Sequence, residues 1–304
     1  MTEFYHSGER AVQEHAGERN AALLNARGIG NRIPKGARAW LARQPLCILG
    51  AADHADDLWA IAIAGRPGFA AAESDGTSVR LLINDGTRVL ARIPPTATME
   101  PGLHAGLLFI DFEKRRRLRV NGRIAEIADD TLCVAVDQAY ANCPKYIQRR
   151  TLRDEAASLL SQEIEAGTEL TPALARWIAK ADTAFLASAH PDGPADASHR
   201  GGRPGFIGVK DGVLRFPDYP GNSMFNSFGN FILNSRAGVT FLDFDAPRQL
   251  QLTGEVRLDL DAATSPTETG GTGRFWTFTP RRWVISSLNF ALSWTAPEAS
   301  PFNP

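Results

Sequence analysis

The sequence predicts a mainly β (α+β) protein with short helices, in which one small antiparallel barrel is used twice. The first reason is an internal repeat: a shift of 137 residues places Trp40–Phe69 over Trp177–Phe206 without a gap, with ten identical positions. The second reason is that a shift of 132 residues places Ala105–Ile124 over Ala237–Val256. The third is that short, regularly spaced segments with strand character recur between turn signals, which is typical of small barrels.

The second copy shows the predicted elements in order, beginning with a helix and two strands. Thr171 followed by Pro172 is a helix start, and the helix is expected to run to about Ala181. A strand follows over residues 183–189, then the loop HPDGPAD, and a second strand that approaches GRPGF at residues 202–206. Each copy is therefore expected to open in the same way.

A tight hairpin and a further helix are predicted next. Ile207–Val209 and Val213–Phe216 flank Lys210-Asp211-Gly212, and Asp-Gly is a strong signal for a tight turn between strands. The stretch Met224–Asn234 has helical character. The hairpin and the helix together lead the chain back to the central strands.

Two longer strands complete the copy, and two other segments serve as connections. Ala237–Phe244 and Gln249–Leu258 alternate apolar and polar residues, as half-buried strands do. Between the copies, Leu152–Ala166 spaces its apolar residues as a helix does, so a connecting helix is predicted. Thr264–Gly273 has no core-forming residues and is predicted to be a loop or linker.

Composition and charge argue against several classes of function. The chain has 304 residues, enough for two domains, and a formal net charge of −1, which gives no global signal for nucleic acid or an anionic membrane. No apolar run approaches the roughly 18 residues that cross a bilayer, and the charged N-terminus lacks an apolar signal core, so a cytoplasmic protein is expected. The three cysteines have no paired spacing and the six histidines are scattered, so neither a disulfide nor a metal site is expected.

The two copies differ where a ligand is expected. GRPGF occurs in both copies, which identifies it as a turn of the fold, but the strand before it reads IAI (61–63) in the first copy and SHR (198–200) in the second. Arginine grips phosphate with two parallel donors, and a loop such as Phe216–Asn230, rich in Asn, Ser and Gly, adds backbone donors. A solvated strand face is the alternative interpretation.

The first copy has an unusual stretch of its own, AYANCPKYIQRR (Ala139–Arg150), without a counterpart in the second. One interpretation is a surface helix that leads into the connecting segment. The other is that a basic residue of this stretch completes a site whose second half lies in the second copy. Its tyrosines, amides and lysine are unusual for a plain surface, which favours the second interpretation.

These motifs resemble a known family. ADASHRGGRPGF (195–206), the following stretch at 214–244 and LQLTGEV (250–256) resemble the FMN-binding split-barrel family related to pyridoxamine 5'-phosphate oxidase. More narrowly, they resemble predicted flavin-nucleotide-binding proteins of bacteria, and YANCPKYIQRR is similar to a tyrosine-cysteine-lysine motif of that group. The resemblance covers about residues 33–258, once per copy, and it is specific over the second copy and looser over the first.

The resemblance implies two split β-barrels that pair within one chain as a pseudo-dimer, with FMN in the groove between them. Residues 1–150 are expected to form a degenerate split-barrel unit with an N-terminal helix, and residues 151–304 an FMN-binding unit. Because the first copy lacks the Ser-His-Arg strand, one competent groove is expected. A homodimer in addition to the pseudo-dimer stays open.

The resemblance also implies roles for particular residues. Strand and loop residues of the second copy would hold the FMN phosphate or ribityl chain: Ser198, His199, Arg200, Tyr219, Asn222, Ser223 and Asn226. Gln251 would reach toward the flavin ring from the next strand, and Lys145 and Tyr146 of the first copy would close the groove. The family's usual basic run in the phosphate loop is replaced by NSMFNS, which leaves the phosphate ligands of this loop open.

The implied function is an FMN-dependent oxidoreductase that transfers a hydride or electrons to or from a small-molecule substrate or electron donor. His199 is expected to face the phosphate, with general acid–base catalysis as the alternative. Arg281–Trp283 is interpreted as a strand end, so pyridoxamine 5'-phosphate, which needs a second phosphate pocket, is not the expected substrate. Two other functions stay open: a non-enzymatic FMN store, sensor or carrier, and a haem-binding relative with His199 or His190 as axial ligand.

Overall fold

The computed structural model describes residues 4–82, 100–128, 131–156, 165–288 and 291–304, and it contains two large antiparallel sheets that pack against each other. Six short helices lie among the described residues. The predicted fold class, mainly β with short helices in tandem split-barrel units, is confirmed. No helix in these ranges is both long enough and apolar enough to cross a membrane.

The first sheet has seven strands, and three helices precede it. In chain order these elements are α1 (Ser7–His15), α2 (Arg19–Ala26), α3 (Lys35–Leu41), β1 (Leu46–Ala52), β2 (Leu58–Ala64), β3 (Ala70–Ala72), β4 (Ser78–Leu82), β5 (His104–Asp111), β6 (Arg116–Ala128) and β7 (Thr131–Asn142). Hydrogen-bonded neighbours follow the order β2-β1-β5-β6-β7-β4-β3.

The remaining elements of the chain form the second sheet and a separate two-stranded sheet. These are β8 (Leu152–Ala156), β9 (Glu165–Gly167), α4 (Pro172–Lys180), β10 (Thr183–Ala189), β11 (Ala195–Gly201), β12 (Gly208–Lys210), β13 (Val213–Pro217), α5 (Asn226–Leu233), β14 (Arg236–Asp243), β15 (Arg248–Asp259), α6 (Pro266–Thr269), β16 (Phe275–Ser287) and β17 (Ala291–Trp294). The two-stranded sheet consists of β8 and β17, and the main path of the second sheet runs β11-β10-β14-β15-β16-β13-β12, which is the strand order of the first sheet. This shared order matches the repeat in the sequence.

Strands at the interface are buried on both faces because each separates two cores. Cys47 and Leu49 of β1 face the core of the first sheet, whereas Leu46 and Ile48 face the second sheet. Successive side chains of a strand point to opposite faces. A continuous apolar run such as LCILGAA is therefore what a strand needs when neither face meets water.

The helix predicted for Leu152–Ala166 is wrong. Leu152–Ala156 forms β8, which pairs with β17, and Glu165–Gly167 forms β9, which pairs with β16. Residues 157–164 lie outside the described residues. The periodicity of a short apolar segment suits helix and strand alike, and pairing with strands more than 100 residues away decides the outcome here.

Two other sequence interpretations change. Ala139–Arg150 is not a surface helix: it begins inside β7 and then continues without helix or strand except for a bridge at Arg149. Thr264–Gly273 contains the short helix α6, which a capping box at Ser265 starts. The capping residues Ser and Glu were visible in the sequence three positions apart.

Arg281 and Arg282 lie in the middle of β16 and bind the first sheet, so the interpretation as a strand end is also wrong. Arg282 Nη2 lies 2.5 Å from Asp57 Oδ2 and 3.2 Å from Asp53 Oδ2, and Arg281 also binds Asp57. These arginines therefore already have carboxylate partners, and they link the two sheets.

The predicted start of α4 gives a testable stability effect. Thr171 Oγ1 accepts a hydrogen bond from Leu174 N at 3.3 Å, and Pro172 occupies the first turn. Thr171→Ala removes this cap and is expected to lower the free energy of unfolding by about 1 kcal/mol, measured by urea denaturation. Thr168→Ala, at an exposed position nearby, should change it by much less; equal losses would contradict the capping role.

Candidate functional site

The structure brings most of the predicted site residues to one cavity between the two sheets. Its walls come from β6, the end of β7 and the loop after it, β11, and the loop that leads into α5. Eight of the ten predicted residues line it: Tyr146, Ser198, His199, Arg200, Tyr219, Asn222, Ser223 and Asn226. Lys145 and Gln251 do not line this cavity.

Two arginines of the first sheet complete the wall and are absent from the predicted set. Arg117 and Arg119 lie on β6 and line the cavity. Arg117 donates from Nε to the carbonyl oxygen of Cys143 at 3.0 Å and from Nη1 to His199 Nδ1 at 3.2 Å. Together with Arg200, three guanidinium groups from both sheets therefore meet at one cavity.

Carboxylates near the cavity already have cationic partners. Asp196 Oδ1 lies 3.1 Å from Arg119 Nη1 in a buried ion pair. Asp218 accepts a hydrogen bond from Arg274 Nε at 2.9 Å, and burial raises the pKa of Asp218. One of the three cavity arginines thus has a carboxylate at contact distance, and the cluster keeps excess positive charge.

Arg200 is also surrounded by more positive than negative charge. Burial lowers the pKa of Arg200 to about 10; Asp218 opposes this change, and the positive charges of Arg119 and Arg117 add to it. Its Nε is buried and has no hydrogen-bond partner among the described residues. A cation that is desolvated, repelled by its neighbours and short of an acceptor is well placed to bind an anion.

His199 is held as a neutral ring. Burial, followed by the charges of Arg117, Arg200 and Arg150, lowers its pKa well below the usual value for histidine. Because Arg117 donates to Nδ1, the remaining proton is assigned to Nε2, which is buried without a partner in the described residues. His199 therefore offers one further unpaired donor at the cavity, and its protonated form is disfavoured.

The backbone around the cavity adopts uncommon angles. Tyr146, Ser223 and Phe225 all have positive φ, at 66°, 61° and 58°, and all three line the cavity. Such conformations cost of order 1 kcal/mol or more for residues other than glycine, and they concentrate at ligand sites. Phe225 precedes α5, so this turn directs the start of that helix at the cavity, where its backbone amides favour negative charge.

Small polar side chains line the remainder of the wall. Ser198 Oγ lies 3.3 Å from Ser227 Oγ, and Asn222 Nδ2 donates to Asn142 Oδ1 at 3.1 Å. Asn226 Oδ1 accepts from Arg119. These bonds fix hydroxyl and amide groups of both sheets around the arginines.

Lys145 and Tyr146 of the first sheet reach the opposite loop. Tyr146 Oη donates to the carbonyl oxygen of Pro220 at 2.9 Å, and Lys145 Nζ donates to the same oxygen at 3.4 Å. The rings of Tyr146 and Tyr219 are 5.0 Å apart between centroids. The two residues thus bridge the sheets beside the cavity, although the ammonium of Lys145 is not in its wall.

The structure places Gln251 elsewhere. Its side chain is buried within the second sheet, where Oε1 accepts from Ser286 Oγ at 3.1 Å. The repeat shift of 132 residues makes Arg119 its counterpart in the first sheet, and Arg119 does line the cavity. The predicted residue, Gln251, occupies the equivalent strand position in the second sheet. The cavity instead takes Arg119 of the first sheet, because β11 packs against β6.

The equivalent strand positions in the other half carry a different contact. Gln249 is the repeat counterpart of Arg117, and Ala62 is the counterpart of His199. Gln249 Oε1 accepts from Ala62 N at 2.9 Å, and Nε2 donates to the carbonyl oxygen of Ala62 at 3.1 Å. One half has Arg117 beside His199, whereas the other has Gln249 bonded to the backbone of Ala62. Both polar atoms of the Gln249 side chain therefore have partners.

The cavity has a volume of about 120 Å³. Pockets that enclose whole small molecules usually measure roughly 300–1,000 Å³. The cavity therefore matches the charged end of a ligand, and the rest of a larger ligand would lie outside it. Among the described residues, no group of three or more histidine, cysteine or carboxylate side chains is placed to bind a metal ion.

Comparisons with known proteins give similarity at the level of the fold. No family model matches the chain, and no curated protein matches it. Similar solved structures include a candidate pyridoxamine 5'-phosphate oxidase from Lactobacillus delbrueckii (12% identity, 38% of this chain and 93% of that one, TM-score 0.31). Others are a candidate 5-nitroimidazole antibiotic resistance protein from Bacteroides thetaiotaomicron (10%, 49% and 96%, 0.30) and HutZ, a haem storage protein from Vibrio cholerae (9%, 44% and 99%, 0.28).

Proposed function

We propose that this chain binds FMN, with the phosphate in the cavity between the sheets, and that it is a flavin-dependent oxidoreductase. The observation that carries the proposal is the cluster of Arg117, Arg119 and Arg200. Its positive charge is larger than the negative charge of the carboxylates paired with it. The family resemblance of the sequence specifies FMN within the class of phosphate-bearing ligands.

The residues present suit a phosphate. Arg200 Nε and His199 Nε2 are buried donors without partners among the described residues, and each would donate to a phosphate oxygen. Arg117 and the start of α5 add positive charge at the same place. Ser198, whose hydroxyl already approaches Ser227, provides a further donor.

Bound FMN would supply the capacity to accept and release a hydride or single electrons. The chain's own contribution is to orient the phosphate through the arginines and to keep water from it. Lys145 and Tyr146 tie the first sheet to the carbonyl oxygen of Pro220 beside the cavity, which holds the two sheets at a fixed separation there. His199, kept neutral by its surroundings, acts as a hydrogen-bond donor in this proposal and not as an acid.

Haem binding is the less favoured function. His190 does not line this cavity, and its Nδ1 accepts from the backbone of Asp192. His199 Nδ1 is occupied by Arg117, and a volume of about 120 Å³ does not enclose a porphyrin next to Nε2. A haem spectrum that appears on adding hemin and disappears in His199→Ala would favour this alternative.

Titration with two flavins tests the proposal. FMN and riboflavin differ by the phosphate alone, so the protein should bind FMN at least about 100-fold more tightly, because two charge-assisted hydrogen bonds together contribute about 3 kcal/mol. Quenching of flavin fluorescence measures both affinities. Equal affinities, or no binding of FMN, would reject phosphate capture by the arginine cluster.

A second measurement distinguishes an enzyme from a carrier. If the protein is an oxidoreductase, FMN bound to it should be reduced by NADH or NADPH and reoxidised repeatedly, faster than free FMN under the same conditions. A store or carrier should instead bind FMN without accelerating either step.

A further inference from the structure

A second cavity lies on the other side of the ion pair between Arg119 and Asp196. Its volume is about 470 Å³, which is within the usual range for small-molecule sites. The segment at the start of α1, strands β6 and β7, and the region from the end of β10 to β11 form its walls, together with α5. Arg119 lines the first cavity and Asp196 the second, and Asn226 belongs to both walls.

Glu9 is placed at this cavity by an unusually close helix crossing. A Cβ atom on Gly229 of α5 would lie 2.5 Å from the backbone nitrogen and from Cγ of Glu9, so a larger residue would push α1 away. The Glu9 side chain is 7% exposed and lines the cavity. The crossing therefore holds a buried carboxyl group at a fixed place in the wall.

Glu9 has neutral hydrogen-bond donors, and no lysine or arginine of the described residues lies at contact distance, although the charge of Arg119 acts on it from further away. Oε2 accepts from the backbone nitrogen of His6 at 2.9 Å, and Oε1 accepts from Asn226 Nδ2. His6 Nε2 lies 3.5 Å from Oε2, but burial together with His190 lowers the pKa of His6, so its ring is neutral near pH 7. A carboxylate here would lack a cation among these neighbours.

The wall also presents an unused acceptor. Asn121 is 7% exposed and donates from Nδ2 to Asp196 Oδ1 at 2.6 Å, while its Oδ1 accepts no hydrogen bond from the described residues. Asp196 adds a negative charge that its ion pair with Arg119 offsets. The cavity thus offers acceptors from Glu9 and Asn121, while the one arginine of its described wall, Arg123, lies 3.8 Å from Asp137.

We propose that this second cavity binds a small organic cation with a primary ammonium group, for which Glu9 is the counter-ion and Asn121 an additional acceptor. The ammonium group supplies a positive charge for Glu9 and N–H donors for both acceptors. The site goes beyond the proposed FMN binding, since the pair of Arg119 and Asp196 separates it from the first cavity. The ligand is therefore a second molecule and not part of the flavin.

Binding is coupled to release of a proton. Burial, with a further contribution from Asp196, raises the pKa of Glu9 to about 8, so the protonated form predominates at pH 7. The ammonium keeps its three protons, and the Glu9 O–H proton leaves to solvent as the ion pair forms. Binding of the cation at pH 7 should therefore release protons to the buffer.

Several other charged or titratable groups face Glu9 or this cavity and enter the pH dependence. They are Asp196 and Arg119 from the partition, His6, His190 and Tyr5 from the adjoining segments, and Asp192 and Arg123 among the other lining residues. Burial lowers the pKa of His6. Affinity should rise about tenfold per pH unit below pH 8 and level off above it, which is the dependence of one ionising carboxyl group.

Isothermal titration of the full chain with benzylammonium chloride tests the proposal, and benzyl alcohol is the neutral control of similar shape. Titrations at pH 7 in PIPES and in MOPS, which differ in ionisation enthalpy, measure the protons released. Saturable binding of benzylammonium with release of protons, and at least about tenfold weaker binding of benzyl alcohol, are expected. Absence of saturable heat, or release of no proton, would overturn the proposal.

Two variants on the same helix sharpen the test. Glu9→Gln keeps an oxygen for Asn226 but cannot ionise, so it should abolish proton release and weaken benzylammonium binding at least about tenfold. Glu14→Gln changes an exposed carboxyl of α1 and should leave both unchanged. If Glu9→Gln does not fold, the pH dependence of the unchanged protein still decides: constant affinity from pH 6 to pH 8 would overturn the proposal. FMN binding is scored separately, because its failure would leave this site untouched.

Discussion

Arg200→Leu is expected to weaken FMN binding by at least about 30-fold. In the proposed complex Arg200 supplies a charged donor whose Nε has no partner in the described residues, so the phosphate is the acceptor it lacks. Loss of one member of a buried, hydrogen-bonded charge pair costs about 2–5 kcal/mol, and 1.4 kcal/mol is a factor of ten in affinity. Fluorescence titration with FMN measures the change.

Arg203→Leu is the matched control. Arg203 lies three residues further along the chain, in the exposed turn that both copies share, and Arg66 occupies the same place in the first copy. Neither substitution should alter FMN affinity by more than about twofold, since exposed charges contribute little. Equal losses in Arg200→Leu and Arg66→Leu would show that the first copy also holds FMN, and the proposal of one competent groove would fail.

Arg200→Leu should also make the ligand-free protein more stable. Burial and the neighbouring arginines disfavour the charged form of Arg200. Replacing a buried charge that lacks a full partner with an apolar side chain of similar size is often stabilising. Urea denaturation without ligand should show a higher midpoint for Arg200→Leu, so loss of FMN binding could not be attributed to unfolding.

Local signals in the sequence were sufficient wherever a few neighbouring residues determine the backbone. The hairpin predicted at Asp211-Gly212 forms between β12 and β13, and both residues have positive φ, at 51° and 77°, as a tight two-residue turn requires. The helix predicted to start at Pro172 does so and ends at Lys180. In both cases the turn or cap chemistry acts within four residues.

The cavity was predictable on one side and not on the other. Comparing the copies identified the strand with Ser198, His199 and Arg200, because those residues replace apolar ones at equivalent positions. Arg117 and Arg119 were not predicted as site residues, because a residue on β6 reaches this cavity only through the packing of the two sheets. The sequence did contain a signal: Arg117 and Arg119 in one copy correspond to Gln249 and Gln251 in the other. The strand with Ser198, His199 and Arg200 shows the same kind of difference between the copies.

The connecting segment shows a different limit. Leu152–Ala156 pairs with β17, and the partner residues lie more than 130 positions later in the chain. Nothing within the segment specifies that partner, and its apolar spacing agrees equally well with a helix. Tertiary pairing decides the conformation of such short segments, and a prediction from local periodicity has no access to it.

Gly238→Ala is expected to lower the free energy of unfolding by about 1–3 kcal/mol, although it adds a single methyl group. A Cβ at Gly238 of β14 would lie 2.6 Å from Ala60 N and from Trp59 Cα, and 2.7 Å from the carbonyl oxygen of Leu58. These are backbone atoms of β2 in the first sheet, so no side-chain rotation relieves the overlap. The sheets must separate locally, and overpacking of this kind costs about 1–3 kcal/mol, occasionally more.

The repeat supplies a second variant with the same expected result. Gly106 is the counterpart of Gly238, and a Cβ there would lie 2.6 Å from Ala197 N and from the carbonyl carbon of Asp196, on β11 of the second sheet. Gly106→Ala should therefore destabilise the protein to a similar extent. Because it displaces the strand that carries the SHR residues (198–200), it should also weaken FMN binding more than Gly238→Ala does.

Gly36→Ala separates this effect from a general consequence of replacing glycine. Gly36 lies in α3 with nothing within 4 Å of an added Cβ, so alanine there should stabilise the helix by about 0.5–1 kcal/mol. Urea denaturation of the three variants should give two large losses and one small gain. If Gly238→Ala and Gly106→Ala unfold at the midpoint of the unchanged protein, the sheets do not approach as closely as the geometry requires. The backbone contacts at these glycines set the distance between the two sheets, and the arginines of the cavity project from those sheets. A larger distance between the sheets would therefore mean a wider cavity.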